Sequence, residues 1–144
     1  MATLKEQKAA PNSVYWRKKA DKAWADDVKE VGECEICHKE GKIRKEDGKP
    51  FKGLHAHHLI LRGNLRHRFD LSNGLCLCVA CHGAHPHYRN NKRCAHGSDE
   101  AKKALMEWFE EERPGQFEWY EEHKEDKRQM EGTYRDKYEE LTKG

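Results

Sequence analysis

Apolar residues recur at helical spacing from residue 13 onward. Trp16, Ala20, Ala23, Trp24, Val28 and Val31 lie on one face, with Ser13 placed to cap the start and Gly32 to stop the end. Residues 33–53 are polar and contain glycine, and Asp47-Gly48 marks a turn. The pattern then shortens. Leu54 to Ile60 reads as a strand, 61–72 as a loop, and Gly74 to Leu77 as a second short strand. A short helix is expected to start near Val79 and run past His82, its end blurred by Gly83, Pro86 and Asn90-Asn91. Ser98 caps a further helix, Asp99 to Glu112, with Leu105, Trp108 and Phe109 on one face. Pro114 and Gly115 break it, and a last helix is expected over roughly 116–142. Residues 1–12 show no periodicity and are expected to be disordered.

These elements imply an α+β chain in four parts. They are a disordered 1–12, an N-terminal helix over 13–32, a strand–loop–strand–helix (ββα) core within 33–97, and a helical extension over 98–144. Only 35% of the residues are hydrophobic, against 38% charged, so the core must be small and needs a staple. The net charge of +2 conceals an asymmetry. Residues 1–98 carry 19 Lys+Arg against 11 Asp+Glu, a net +8, and 99–144 carry 9 against 15, a net −6. A basic front half suggests a polyanionic partner. No apolar run is long enough to cross a membrane, and Met1 to Asn12 has no apolar signal region, so a cytoplasmic protein with metal-binding rather than disulfide-bonded cysteines is expected.

Two Cys-x-x-Cys turns, Cys34/Cys37 and Cys78/Cys81, supply the ligands of one structural zinc site. Four thiolates close the tetrahedron and leave no open position for chemistry. Gly41, four residues after Cys37, suits the sharp turn of a metal knuckle. Cys76 fits a small buried residue, and Cys94 a stray thiol or an alternative ligand.

A second group of residues has a chemistry of its own. The strand holds Ala56-His57-His58-Leu59-Ile60, the loop ends at Asn73, and Cys78-x-x-Cys81-His82 enters the helix. This order resembles the His-Asn-His (HNH) endonucleases, whose fold is a ββα-metal unit. The resemblance covers about residues 33–90. It implies that His58 is the general base and that Asn73 fixes the 61–72 loop. His57 and His82 then hold a catalytic divalent metal, with His85 the alternative ligand. His57 stands where the family often has Asp, which shifts the expected metal from Mg²⁺ toward Mn²⁺, Co²⁺, Ni²⁺ or Zn²⁺. Neighbours on a strand face opposite sides, so His57 and His58 need different tasks. A neutral histidine with a pKa near 6.5 suits water activation at pH 7. His55 shares the face of His57, while His38, His67, His96 and His123 read as surface residues.

DNA is the expected partner, contacted by Arg62, Arg66, Arg68, Arg89, Lys92 and Arg93 through bidentate phosphate recognition where the residue is arginine. One such site cuts one strand, so a monomer would nick and a homodimer could break both. The resemblance implies 5′-phosphate and 3′-hydroxyl ends, and phage packaging or repair proteins as further partners. The competing reading is a non-catalytic zinc ribbon or adaptor that binds nucleic acid without needing His57, His58 and His82 at these spacings.

Overall fold

Two strands hold the centre. In the computed structural model, which describes residues 2–83 and 92–143, β1 (Leu54–His58) pairs antiparallel with β2 (Gly74–Cys78). His57 lies opposite Leu75, and His55 opposite Leu77. β2 is buried along its whole length, which explains its unbroken small-and-apolar sequence Gly-Leu-Cys-Leu-Cys. β1 is buried only at Leu54 and half-covered from His55 to His58. The side-chain period of two sends Ala56 and His58 to one face, and His55 and His57 to the other.

Helix α1 spans Leu4–Ala9 and α2 spans Val14–Val28. Trp24 and Ala20 of α2 cover the Ala56 face together with Phe69, forming one small core. On the opposite face, Leu75 and Leu77 meet Leu105, Trp108 and Phe109 of α4 (Asp99–Glu112) in a second core that includes Cys34, Cys78 and Cys81. Full burial of a side chain such as Leu75 or Phe109 contributes about 1.5–3 kcal/mol, so neither cluster is large enough to be generous. Between β2 and α4, the single turn α3 (Val79–His82) completes a β–β–α order.

Three expectations are revised. Residues 4–9 form a helix rather than disorder: Thr3 accepts from the Glu6 N–H at 3.1 Å, and the Trp16 indole reaches back to the Lys8 carbonyl at 3.0 Å. Tertiary contact with α2 supplies order that no local periodicity signals. Ser13 occupies the cap position of α2, but its hydroxyl donates to the Gln7 carbonyl at 2.6 Å instead of capping. Ser98, by contrast, accepts from the Ala101 N–H as expected.

The third revision concerns the C-terminal segment. It is two helices, α5 (Pro114–His123) and α6 (Tyr134–Thr142), not one. Pro114 starts α5 because the first turn of a helix needs no N–H from it. A separate capping box at Thr133 and Asp136 starts α6. Phe117 and Tyr120 of α5 pack against the α4 core, whereas Tyr134, Tyr138 and Leu141 of α6 pack on the α2 side. Among the described residues, no helix is long and apolar enough to cross a membrane.

Candidate metal centres and the histidine cleft

The four cysteines of the two Cys-x-x-Cys turns come together, with every sulfur within 4.8 Å of the others. A tetrahedral ion with bonds of about 2.3 Å needs sulfurs about 3.8 Å apart, and Cys37 Sγ lies 3.6 Å from Cys78 Sγ. The donor set therefore fits a metal such as zinc. Glu35 locks the first turn onto β2: its N–H donates to the Cys76 carbonyl at 2.9 Å, and its carboxylate accepts from the Cys76 N–H at 2.7 Å. The Cys34 thiol is held well below its ordinary value, chiefly by its hydrogen bond with Cys81. Cys76 is fully buried and is pushed up to about 12, first by that burial. It stays a thiol outside the cluster, the packing role expected of it.

The left-handed residue of the first knuckle is His38, at φ 63°, not Gly41. Gly41 has a different reason to be glycine. A Cβ there would lie 1.9 Å from the Pro50 carbonyl oxygen, which closes over it.

Beyond the cysteines, α3 delivers His82 to the β1 face that holds His55 and His57. His57, His82 and His96 form a group with one ring nitrogen each within 4.8 Å of the others. His96 was read from the sequence as a surface residue. The chain brings it back after α3 through two backbone bonds, from Ala95 N–H to the Cys81 carbonyl at 2.9 Å and from His96 N–H to the His82 carbonyl at 3.0 Å. Gly83 makes this return possible: it ends α3 at φ 66°, and a Cβ on it would lie 1.8 Å from Cys94 Sγ. No spacing rule joins His82 to His96 across 14 positions, which is why sequence reasoning missed it. The expected alternative ligand, His85, lies outside the described residues.

His55, on the same face as His57, supports His82. Its Nδ1 lies 2.7 Å from Nδ1 of His82, so this contact leaves His82 Nε2 for the group. A second hydrogen bond on the far ring nitrogen is what fixes the tautomer of a metal-binding histidine. Burial pushes His57 down to about 3 and His82 down to about 4, and lowers His55 as well, so these rings are neutral near pH 7 with lone pairs to give.

His58 faces the other way. Its ring stacks on Trp24 at 3.9 Å between centroids, and Nε2 sits 3.0 Å from the Arg68 carbonyl. A carbonyl only accepts, so Nε2 carries the proton and Nδ1 keeps the lone pair. Burial again lowers its pKa. His57 and His58 nevertheless both line one cleft of about 290 Å³ with Leu59, Leu61, His96 and Lys102, at the end of β1, where the chain bends at Leu59 and Ile60.

Asn73 is fully buried at the end of the 61–72 loop. It accepts from the Ile60 N–H at 2.6 Å and donates to the Ile60 and His67 carbonyls at 3.1 and 3.0 Å. The loop is thus tied at both ends, and the Arg68 carbonyl that orients His58 lies within it.

The loop arginines are not equivalent. Arg68 is largely buried and gives both guanidinium bonds to Asp21 at 2.8 Å, so its side chain is engaged inside the protein. Arg66 pairs with Glu131 at 2.7 Å. Arg62 and Lys92 are exposed, Arg93 is half-buried, and Arg89 lies outside the described residues.

Comparisons with family models, with curated proteins and with solved structures find no match. The functional reading therefore rests on the residues themselves.

Proposed function

We propose that this chain is a metal-dependent endonuclease of the HNH type, hydrolysing DNA phosphodiester bonds, with a structural zinc on Cys34, Cys37, Cys78 and Cys81. One observation carries the reading. A neutral histidine with a free Nδ1 lone pair, His58, opens onto the same cleft as a three-imidazole group, His57, His82 and His96. A zinc ribbon that only binds nucleic acid has no use for a base held beside such a group.

His57, His82 and His96 would hold the divalent ion, of the Mn²⁺, Co²⁺, Ni²⁺ or Zn²⁺ class, with Mg²⁺ less suited to imidazole donors. When bound, the ion supplies positive charge at the scissile phosphate and the leaving 3′ oxygen. His58 Nδ1 takes a proton from water as the water oxygen bonds to phosphorus. The bond from phosphorus to the 3′ oxygen breaks, and that oxygen leaves as the 3′-hydroxyl after taking a proton from solvent. Trp24 and the Arg68 carbonyl keep the imidazole plane fixed, so no reorientation is needed at the moment of transfer. Asn73 acts through the loop and does not touch the reacting atoms. Among the described candidates, Arg62 and Lys92 are exposed and would meet the DNA backbone, and Arg66 could do so by leaving Glu131.

The test is conversion of supercoiled plasmid to open circle in the presence of Mn²⁺, Co²⁺, Ni²⁺, Zn²⁺, Mg²⁺ or a chelator. Nicking with a divalent ion that disappears in His58→Ala, with zinc content retained, supports the reading. DNA binding with no cutting under any ion overturns it in favour of the binding module.

A further inference from the structure

A second histidine cluster lies on the far side of the loop. His67, read from the sequence as a surface residue, is only 5% exposed. Its Nδ1 sits 2.8 Å from Asp70 Oδ2, and its Nε2 sits 2.9 Å from Asp126 Oδ2. The same Asp126 oxygen lies 2.7 Å from Nδ1 of His123, at the end of α5. Three donor atoms from three residues therefore converge on one point, and they form a group able to hold a metal ion. Trp119 packs against both rings, at 5.2 Å from His67 and 5.0 Å from His123.

We propose that His67, His123 and Asp126 form a further divalent-metal site, independent of the nuclease reading and taking an ion of the Zn²⁺, Co²⁺ or Ni²⁺ class. Four features support it. Two imidazoles and one carboxylate are a three-ligand set that leaves a fourth position for water. Asp70 holds His67 by Nδ1, which turns Nε2 toward His123 and Asp126, the carboxylate–histidine arrangement that orients metal ligands. Asn64, 7% exposed, reaches the Asp126 carbonyl with its Nδ2 at 3.4 Å, while its Oδ1 is buried with no hydrogen-bond partner. A water carried by the ion would satisfy such an acceptor. Asn64 and Asp126 also line a cavity of about 390 Å³, which puts open space beside two residues of the cluster. The ion would staple the 61–72 loop to the segment after α5, holding in place the loop that positions the Arg68 carbonyl.

The test compares full-length wild type with His123→Ala and His123→Gln after equilibrium dialysis against micromolar ZnCl₂ and elemental analysis. The half-exposed His123 makes these variants tolerable to the fold. Wild type should hold one more zinc equivalent than either variant, with the four-cysteine zinc present in all three. Equal zinc content overturns the proposal and leaves a cluster of hydrogen bonds only. A second readout uses His82→Ala, so that the cleft group is broken. Co²⁺ added to this protein should shift and broaden the Trp119 indole resonance through paramagnetism. An unchanged Trp119 signal would equally sink the site.

Discussion

His58 and Arg68 are joined through the backbone: the imidazole Nε2–H meets the Arg68 carbonyl at 3.0 Å, while the side chain of the same arginine is clamped by Asp21. The imidazole is therefore oriented by a carbonyl whose position depends on an ion pair to α2. The pair is bidentate but Asp21 keeps 35% of its side chain exposed, which screens the attraction. Asp21→Ala leaves Arg68 half-buried without its partner, and a loss of about 1–3 kcal/mol in stability is expected. Nicking should slow as well, by less than in His58→Ala. A melting curve and a nicking rate taken well below the transition separate the two effects. An unchanged rate would show that the clamp serves the fold alone.

Asn73 makes its three bonds with no solvent contact. Asn73→Ala strands the Ile60 N–H and two carbonyls, and stability should fall by about 2–4 kcal/mol. Asn73→Asp keeps the shape but sets a carboxylate against two carbonyl oxygens, and it should be the worse of the two. Hydrogen exchange at the Ile60 and Asp70 amides reports the loosening directly. If those amides stay as protected in Asn73→Asp as in wild type, the loop is held by something else.

Much of this was legible in the chain. The paired Cys-x-x-Cys turns, the two strands and the helix capped by Ser98 are local patterns, set by spacing and side-chain type within a few residues. The loop-fixing task of Asn73 was implied by the resemblance to the HNH endonucleases, not by spacing alone. His96, the Asp21–Arg68 clamp and the His67–Asp126 contact were not readable, since each joins residues 14 to 59 positions apart through packing that no period encodes. The last helix failed for a related reason. Apolar residues at 117, 120, 134, 138 and 141 keep helical spacing, but they serve two different cores.

His55 and His96 offer the sharpest probe of the cleft metal. His96 is exposed, so His96→Ala should leave the melting temperature of the chain with only its cysteine site filled unchanged while weakening binding of Mn²⁺ or Ni²⁺. His55→Ala removes the hydrogen bond on His82 Nδ1, and such supporting partners are typically worth about 10–100-fold in metal affinity or activity. Isothermal titration with the cysteine site already filled with zinc gives both numbers. Affinity that survives His96→Ala intact would remove it from the ligand set.

Removing zinc should cost far more than any single side chain. Cys34, Cys78 and Cys81 belong to the α4 core, so a metal held there would tie the first knuckle to β2 and α3. A strong chelator is expected to abolish cooperative unfolding, because binding energy of this kind is folding energy. Cys78→Ala should do the same. Cys76→Ala, outside the cluster, should keep its zinc and lose only about 1–2 kcal/mol of packing. Equal zinc loss in the two variants would place Cys76 among the ligands.

Acid should act through the histidines before it acts through the carboxylates. His55, His57, His58 and His82 are all lowered chiefly by burial, His57 to about 3 and His82 to about 4. Each binds its proton more readily in the unfolded chain, where the value is 6.5. The unfolded state therefore takes up more protons as pH falls below 6.5, and stability declines over that range. An ion on His57, His82 and His96 acts in the same direction, since protons compete with it. Glu35 and Asp27, both raised first by burial, oppose the trend with two groups against four. The melting temperature should be level above pH 7 and fall steadily between pH 6.5 and 5, and His55→Ala should flatten that slope. A melting temperature that held or rose down to pH 5 would mean that the buried histidines are not neutral in the folded chain.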